Sequence, residues 1–516
     1  MDQRNSHTRT SAFGVGRREG HDATEFYARF KPPRLSNDEQ VNRTPDLIAE
    51  LGRGRLFHGS SAAMTQLPDN CVALVVTSPP YFVGKEYELA VTGERDGDSR
   101  IPATYFEFLD MLRDVFTECA RVLEPGGRIA VNVANLGRKP YRSLSADIIA
   151  ILQDDLGLLL RGEVIWEKSA ASGGSCAWGS FAKASNPVLR DVTERVIIAS
   201  KGRFARAIAV KDRRRLGLPH ESTITNDEFV DTTRDVWRID AESATRIGHP
   251  APFPVELPRR MIDLYTYKGD MVLDPFAGAG TTLVAAARTG RIGIGYDTDA
   301  NYIDLAQRRL DAEIQRTNRL GEISGTINQG SPAVQREMVA KLSADDRQEH
   351  FQARAANEGK RVQDIAQRVL AEAGFATIDD TAKHSSRIVE FDFRVASRNE
   401  VHRWWVDVSG AFTTSRPGLQ RTDAVWKMLG RLHVLTATSD GPAGIENNVL
   451  VLTPSLPKPG SPGDRALRKI GPGCIFDIIE LYDLAGQERL HRYATDSEPT
   501  QLPGFWTAAE LGDQLA

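Results

Sequence analysis

The sequence predicts an α/β protein built on a mostly parallel sheet, followed by a smaller α+β unit. Two observations support this prediction. From about residue 48 to residue 312, short apolar runs typical of buried strands alternate with longer segments of helical spacing, the order that produces parallel strands joined by helices. The chain also has 516 residues, which is more than one hydrophobic core usually supports.

Composition is that of an ordinary globular protein, with 41% hydrophobic and 26% charged residues. No apolar run approaches the roughly 20 residues needed to span a bilayer, and the polar N-terminus lacks the apolar core of a secretion signal. We therefore expect an intracellular protein with no membrane partner. The four cysteines are scattered without a C-x-x-C pair, which disfavours both a disulfide framework and a zinc site.

The net charge of -4 does not indicate a nucleic-acid-binding protein. Phosphate contacts need only a local basic surface, however, and residues 201–215 contain seven basic side chains and one acid. This segment is a candidate phosphate-binding surface. A solvated surface loop is the alternative interpretation.

The first stretch that indicates chemistry is Ser78-Pro79-Pro80-Tyr81, directly after a predicted strand from Cys71 to Val76. Prolines cannot continue a sheet ladder, and they hold the following turn rigid. A hydroxyl and an aromatic ring are therefore presented at the carboxyl edge of the sheet, where open α/β sheets bind ligands. The alternative is an ordinary strand that ends in a proline turn.

The next elements follow the same alternation. They are a helix over Tyr105–Val122, a turn over residues 123–127, a strand over Arg128–Val133, a helix over Ser145–Leu156, and strands over Arg161–Trp166 and Glu194–Ala199. Between the last two strands lies a loop, residues 169–186, that is rich in small residues. A loop of this length within a compact domain is usually functional or mobile.

The second stretch that indicates chemistry begins at residue 271, where an apolar strand runs into Asp274, a glycine-rich turn and a helix N-terminus. Glycines let the backbone approach a ligand, and a helix N-terminus supplies unpaired N–H donors. The turn lacks the lysine of a P-loop and the full dinucleotide-binding spacing. The next strand, Ile292–Tyr296, ends at Asp297, a position suited to accept hydrogen bonds from ribose hydroxyls.

In this order, the two stretches resemble the permuted β group of DNA amino-methyltransferases, over about residues 50–312. The resemblance implies a Rossmann-like, S-adenosylmethionine-dependent fold in which Ser78, Pro79, Pro80 and Tyr81 are catalytic. The cofactor-binding residues that it implies are Asp274, Pro275, Phe276, Gly278, Gly280, Thr281 and Asp297, together with Pro252 and Phe253 of the segment leading into the pocket. Members commonly carry Gly-Asp upstream of the catalytic strand, where this chain has Gly59-Ser60.

For the reaction, the resemblance implies that the target base of double-stranded DNA is flipped out of the duplex. The Ser78 hydroxyl and the Pro79 carbonyl would accept hydrogen bonds from the exocyclic amine, and Tyr81 would stack on the base. No metal is required for this transfer. Members with serine at the first motif position usually methylate N4 of cytosine, so Ser78 favours cytosine, with N6 of adenine as the alternative. A C5-cytosine enzyme is disfavoured because no cysteine here follows a proline.

The resemblance also implies a setting and a target-reading segment. It implies a prokaryotic, cytoplasmic, nucleoid-associated enzyme of a restriction-modification system, acting as a monomer or homodimer. The group often places its target-recognition region within the part of the chain that corresponds here to residues 200–235.

The chain is expected to divide into five parts. These are a mobile N-terminal arm (1–45), the methyltransferase domain (46–315), a connector (316–355), a second domain (356–490) and a C-terminal tail (491–516). The order of helices and strands in the second domain resembles the PD-(D/E)xK, or restriction-endonuclease-like, fold. That likeness implies a Mg²⁺ site at Glu358, Asp392 and Asp407. Ser409 stands where such nucleases carry lysine, so two interpretations remain, a fused Mg²⁺-dependent nuclease and an inactive DNA-binding scaffold.

Overall fold

The computed structural model describes the following residues: 33–81, 104–135, 141–168, 179–189, 192–242, 247, 253–329, 362–379, 382–383, 390–410, 418–437 and 449–512. Several predictions therefore lie outside the described residues, among them most of the N-terminal arm, residues 169–178, Pro252, residues 330–355 of the connector, and Glu358. The described elements form two units. One is centred on an eight-stranded sheet and the other on a five-stranded sheet.

The first unit contains eight strands: β1 (Gly54–His58), β2 (Val72–Thr77), β3 (Leu123–Val133), β4 (Leu159–Glu167), β5 (Thr193–Ser200), β6 (Val236–Arg238), β7 (Met271–Asp274) and β8 (Ile292–Asp297). Its described helices are α1 (Pro45–Leu51), α2 (Tyr105–Val122), α3 (Leu144–Ile149), α4 (Val210–Arg215), α5 (Asn226–Thr232), α6 (Glu256–Tyr265), α7 (Thr281–Arg288) and α8 (Ala300–Gln329).

The strands are ordered β1-β8-β7-β2-β3-β5-β4-β6. Neighbours are parallel except at β5, which runs antiparallel to both β3 and β4. The carboxyl ends of β2, β3, β7 and β8 therefore lie at one edge of the sheet, together with the amino end of β5. We call this edge, which includes Thr77, Val133, Asp274, Asp297 and Glu194, the upper edge. The predicted α/β sheet with a second, smaller unit is confirmed.

Local sequence explains the central elements. All six residues of β2 are buried, as expected for a continuous apolar run covered on both faces of a parallel sheet. Helix α2 begins with a capping box, in which Thr104 accepts from the Glu107 backbone N–H and the Glu107 side chain accepts from the Thr104 N–H. It buries a stripe of residues at helical spacing: Phe108, Leu112, Val115, Phe116, Cys119 and Val122.

Two boundaries differ from the prediction. The expected turn over residues 123–127 belongs to β3, whose pairing with β2 shifts register between Val72 and Leu74. Gly126 has φ 78°, so this irregularity absorbs the Pro-Gly-Gly sequence without ending the strand. The helix expected over Ser145–Leu156 is α3 followed directly by a π-helical segment, Ala150–Asp155.

The second unit contains α9 (Val362–Ala373), β9 (Ala376–Asp379), β10 (Ala382–Lys383), β11 (Glu390–Phe391), β12 (Phe393–Ala396), β13 (Arg403–Val408), α10 (Thr422–Ala437), β14 (Val449–Thr453), α11 (Pro462–Ile470), β15 (Asp477–Glu480), α12 (Leu484–Thr495) and α13 (Ala508–Gly512). The main sheet is ordered β15-β14-β13-β12-β9, with β13, β14 and β15 parallel and β12 antiparallel to both of its neighbours. No helix in the described part of the chain is long and apolar enough to cross a membrane.

Two expected domain boundaries need correction. The connector does not begin at residue 316, because α8 continues to Gln329. Residues 491–512 do not form a separate tail, because α12 extends to Thr495 and the Phe505 and Trp506 side chains are buried in the second unit against a core that includes Leu419. The physical reason is the apolar area of these two aromatic rings, which is removed from water by packing.

Candidate functional site

The structure brings together three segments that are far apart in sequence. Ser78 follows β2, Asp274 ends β7 and Asp297 ends β8. Since β7 pairs with both β2 and β8 in parallel, all three residues lie at the upper edge of the sheet. The predicted strand ends thus meet in one place, as ligand sites of open α/β sheets do.

Asp274 connects the end of β2 to the start of α7. Its carboxylate accepts hydrogen bonds from the Thr77 hydroxyl at 2.7 Å, the Thr282 hydroxyl at 2.8 Å and the Phe276 backbone N–H at 3.1 Å. The residue is only 1% exposed. Burial raises the pKa of Asp274 to about 6, although the three hydrogen bonds act in the opposite direction. The sequence predicted a cofactor ligand here, whereas these carboxylate contacts are to protein groups that position the site.

The turn between β7 and α7 depends on two glycines in the left-handed region, Gly278 with φ 47° and Gly280 with φ 75°. A Cβ atom at position 280 would lie 2.7 Å from the Ala306 Cβ of α8, so this position is also restricted by helix packing. The turn is held from a further side by Ser61, whose hydroxyl donates to the Pro275 carbonyl at 2.8 Å. The sequence analysis did not identify Ser61, although the resemblance singled out the adjacent pair Gly59-Ser60.

Asp297 is half-buried beside this turn, and burial raises its pKa. One carboxylate oxygen accepts from the Gly278 N–H at 2.8 Å and the other accepts from the Asp299 N–H at 2.9 Å. An ionised carboxylate has about four acceptor positions, so these two bonds leave capacity for the hydroxyls of a ribose. The N–H donors of the first turn of α7 lie at the same turn.

The other predicted cofactor residues lie at the start of this helix, in the turn, or in the segment before α6. Phe276 and Phe253 are partly buried against the apolar cores on the two faces of the sheet. Thr281 is buried at the start of α7, where Arg309 donates to its hydroxyl at 3.4 Å. Pro252 lies outside the described residues. Phe276 and Thr281 therefore lie between the end of β7 and the first turn of α7, whereas Phe253 packs on the other face of the sheet.

Ser78 and Tyr81 are hydrogen-bonded to each other, with 2.8 Å between their hydroxyl oxygens. The Ser78 hydroxyl also lies 3.1 Å from the Asn132 carbonyl, an acceptor at the end of β3. The Tyr81 ring belongs to the core packed between the sheet and α2 and is only 8% exposed. The predicted stacking face is therefore largely covered in this structure. Pro79 is buried and Pro80 half-buried, which fixes the backbone of the turn.

Three further polar residues complete this network, and the sequence analysis identified none of them as functional. Glu194, at the start of β5, accepts from the Tyr81 hydroxyl at 3.1 Å and from the Asn132 side-chain amide at 2.5 Å. Its other carboxylate oxygen lies 2.5 Å from the Lys168 ammonium. Glu194 is 6% exposed and Asn132 is 1% exposed. The available signal was an acid at the start of an apolar strand, a position where an ionised side chain needs partners.

The basic segment 201–215 lies at the opposite edge of the sheet. Arg213 is buried and Arg206 is mostly buried, and both form ion pairs with Glu124, at the start of β3, and Asp270, just before β7. The Lys201 ammonium donates to the Leu123 carbonyl at 2.7 Å.

The prediction of a phosphate-binding surface is therefore wrong for Lys201, Arg206 and Arg213. Their positive charges are used within the protein, in ion pairs with carboxylates and in a hydrogen bond to a backbone carbonyl. Lys211, Arg214 and Arg215 remain exposed. Residues 201–215 are also part of the expected target-recognition region, and they lie at the edge of the sheet opposite Ser78.

In the second unit, Asp392 and Asp407 lie close together. Asp392 accepts from the Val408 N–H at 2.8 Å, while Asp407 accepts from the Ser409 hydroxyl and lies 2.7 Å from the Arg431 guanidinium. Asp407 is 1% exposed, and burial raises its pKa. Within the residues described, no group of three or more His, Cys, Asp or Glu side chains could hold a metal ion, and Glu358 lies outside them. The described acids thus pair with protein groups at the place where Mg²⁺ was expected.

Comparison with known proteins adds independent information. Residues 72–308 match the model of the N6/N4 methyltransferase family, described as DNA methylase. The chain is 30% identical to the type II methyltransferase M.MthZI of Methanothermobacter thermautotrophicus, over 52% of this chain and 79% of that protein. It is 25% identical to the DNA adenine methyltransferase YhdJ of Escherichia coli (strain K12), over 50% of this chain and 82% of that protein.

A solved structure is also similar. The TTHA0409 protein of Thermus thermophilus, in its complex with S-adenosyl-L-methionine, is 29% identical over 51% of this chain and 94% of that chain, with a TM-score of 0.38.

Proposed function

The chain belongs to the N6/N4 family of DNA methyltransferases, and we propose that it transfers a methyl group from S-adenosylmethionine to N4 of cytosine in double-stranded DNA. The observation that supports this proposal best is the Thr77–Asp274 hydrogen bond. It holds Ser78 beside the glycine-rich turn, so an amine acceptor and a cofactor turn meet at one edge of the sheet. Transfer requires this proximity, since the amine and the methyl donor must be held in line.

The residues around the turn fit the cofactor. S-adenosylmethionine is the methyl donor of this family and supplies an electrophilic methyl group on a sulfonium. The half-buried Asp297 carboxylate would accept hydrogen bonds from the ribose hydroxyls. The first turn of α7 would offer its unpaired N–H groups, and Phe276 and Phe253 would supply apolar contact area.

The target amine needs acceptors, because the exocyclic nitrogen of cytosine is a weak nucleophile whose lone pair is delocalised into the ring. We assign this role to the Ser78 hydroxyl and the Pro79 carbonyl, which would orient the two amine N–H groups and stabilise the positive charge that develops on the nitrogen. Pro79 and Pro80 keep these acceptors in place. The base must leave the duplex to reach them. Stacking on Tyr81 would then require its ring to become more exposed than in this structure.

Adenine N6 is the second candidate target, since relatives of this chain include an enzyme named for adenine methylation. Ser78 favours cytosine, as serine at this position does in most members of the group. The test is to incubate the protein with duplex DNA and labelled S-adenosylmethionine, digest the DNA to nucleosides and identify the labelled base. Label only in N6-methyladenosine would refute the cytosine assignment, and no label in DNA would refute the proposed reaction.

We do not extend the proposal to Mg²⁺-dependent cleavage, because the Arg431 guanidinium lies on Asp407 where a metal ion would be needed. The second unit is instead proposed to be a non-cleaving, DNA-binding part of a restriction-modification methyltransferase in a prokaryotic cytoplasm. Incubation of unmethylated DNA with Mg²⁺ and the protein should leave the DNA uncut. Oligomeric state, monomer or homodimer, is measured by sedimentation of the same preparation.

A further inference from the structure

The polar network behind Ser78 has a defined hydrogen-bond direction. Its members are Ser78, Tyr81, Asn132, Glu194 and Lys168. We infer that Glu194 is a positioning residue that turns the Ser78 hydroxyl into a hydrogen-bond acceptor for the target amine. This inference rests on the proposed function of Ser78 and assigns to that site a residue outside the catalytic tetrapeptide.

The direction of the network starts at Glu194. An ionised carboxylate only accepts hydrogen bonds, so both groups that approach its Oε2 atom must donate. These are the Tyr81 hydroxyl at 3.1 Å and the Asn132 Nδ2 at 2.5 Å. A tyrosine hydroxyl has one proton, and that proton is therefore directed at Glu194. The same Asn132 amide donates to the Tyr81 oxygen at 3.3 Å, which reinforces this arrangement.

The Tyr81 oxygen is consequently an acceptor toward Ser78. The Ser78 hydroxyl also has one proton, and its neighbours among the described residues are the Tyr81 oxygen at 2.8 Å and the Asn132 carbonyl at 3.1 Å. Both neighbours accept, so the Ser78 proton points into the protein in either arrangement. The lone pairs that remain on Ser78 are then available to a ligand.

With its proton directed inward, the Ser78 hydroxyl can accept a hydrogen bond from an amine but cannot donate one to an acceptor on the ligand. An exocyclic amine brings two N–H donors, and a hydroxyl that has already donated inward can only accept from it. Without Glu194, the Tyr81 proton could turn to Ser78 and occupy a lone pair that the amine would otherwise use. Among the described groups, the Asn132 carbonyl would then be the acceptor left to hold the Ser78 proton away from the amine nitrogen. The network thus fixes in advance the dipole that transfer requires.

Lys168 completes the arrangement from the other side. Its ammonium lies 2.5 Å from Glu194 Oε1 and balances the charge of a carboxylate that is 6% exposed. Each oxygen of Glu194 therefore faces donors, Oε2 in the network and Oε1 at Lys168. Both ends of the side chain must therefore accept hydrogen bonds. Glutamine is a poor replacement, because its amide has one oxygen that accepts and one nitrogen that donates.

The test compares three variants with the wild type: Glu194→Gln, Lys168→Met and the double variant. In Glu194→Gln the amide nitrogen must face either Lys168, which only donates, or the pair Tyr81 and Asn132. In the second arrangement the Tyr81 oxygen would accept from the amide, and the Tyr81 proton would turn to Ser78. We expect its single-turnover transfer rate to fall about 10- to 100-fold, with the Kd values for S-adenosylmethionine and duplex DNA unchanged within about threefold. In the double variant the amide nitrogen faces no ammonium, so the oxygen can accept from Tyr81 and Asn132. The rate should return to within about threefold of Lys168→Met alone.

Each outcome decides the inference. A wild-type rate in Glu194→Gln overturns it, as does a double variant that stays about tenfold or more below Lys168→Met while both melt at the same temperature. If Glu194→Gln fails to fold, the comparison of the double variant with Lys168→Met decides alone, with equal rates in support. A wild-type protein that labels no amino group in DNA refutes the proposed function and this role with it, whereas labelled DNA with no rescue refutes only the role of Glu194.

Discussion

The Asp274 carboxylate and the Thr77 hydroxyl are joined by a buried 2.7 Å hydrogen bond between two segments that lie 197 residues apart in sequence. Thr77 is the last residue of β2 and directly precedes Ser78, while Asp274 is the last residue of β7 and directly precedes the glycine-rich turn. Through Thr282 the same carboxylate also reaches the first turn of α7. One side chain thus sets the spacing between the proposed amine acceptors and the proposed cofactor turn.

Replacing Thr77 with valine keeps the shape of the side chain and removes its donor. We expect the free energy of unfolding to fall by about 1–3 kcal/mol, because a buried carboxylate oxygen loses a partner. Transfer should slow as well, since the residue before Ser78 is no longer held. Urea unfolding and single-turnover rates measure the two effects. Thr282→Val is the matched control, with a similar loss of stability and a larger effect on cofactor affinity than on the rate. If Thr77→Val and Thr282→Val slowed transfer equally, Thr77 would not act mainly on the rate and Thr282 mainly on cofactor affinity.

The pKa of Asp274, raised to about 6 by burial, predicts an acid limb in the rate. Protonation turns one acceptor oxygen into a donor and disturbs the bonds to Thr77 or Thr282, so transfer should decline as the pH falls through this value. The effect on stability has the opposite sign. Because the native pKa lies above the ordinary 3.8, this group contributes stability that is complete below pH 3.8 and is lost as the pH rises through about 6.

The measurement for Asp274 is the single-turnover rate as a function of pH in the wild type and in Asp274→Asn. The amide does not titrate, so the acid limb should disappear in the variant even if its rate is lower throughout. If the transfer rate of Asp274→Asn still declined at low pH as in the wild type, the titrating group would be a residue other than Asp274.

Gly280→Ala should destabilise the first unit. The residue has φ 75°, and the new Cβ would lie 2.7 Å from Ala306, so backbone strain and a steric clash add together. We expect a loss of about 1–3 kcal/mol, together with weaker binding of S-adenosylmethionine. Thermal melting and a cofactor titration check both effects. Gly321→Ala in α8 is the matched control, since a Cβ atom there would have nothing within 4 Å and alanine favours a helix. It should melt at or above the wild-type temperature.

Ser78→Ala and Asp297→Ala should separate catalysis from cofactor binding. Ser78→Ala removes a proposed amine acceptor and should abolish detectable transfer while the Kd for S-adenosylmethionine stays within about threefold of wild type. Asp297→Ala removes the proposed ribose acceptor, so weaker cofactor binding should be its primary defect. Calorimetric titration and transfer rates at saturating cofactor distinguish the two. A matching loss of cofactor affinity in both variants would contradict these assignments.

Much of the fold was predictable because it follows from local rules. The alternation of apolar runs and helical spacing predicted the parallel sheet, and the capping box of α2 marks the start of a helix predicted at the same residues. The ends of β2, β7 and β8 indicated a site because parallel strands present their carboxyl ends at one edge. Two predictions were wrong. The predicted turn over residues 123–127 is part of β3, and Phe505 and Trp506, in the expected tail, are buried in a core of the second unit.

The sequence alone thus determined the α/β class, the Ser78-Pro79-Pro80-Tyr81 motif and the glycine-rich turn, since each depends on neighbouring residues and on periodicity. Tertiary structure decided the partners. It joined Asp274 to Thr77, and it connected Glu194 to Ser78 through Tyr81. It also placed two arginines of the basic segment, Arg206 and Arg213, in ion pairs at the opposite edge of the sheet. The physical reason is that a buried polar group must be satisfied by whichever donor or acceptor the fold brings within about 3 Å, and sequence distance places no limit on that choice.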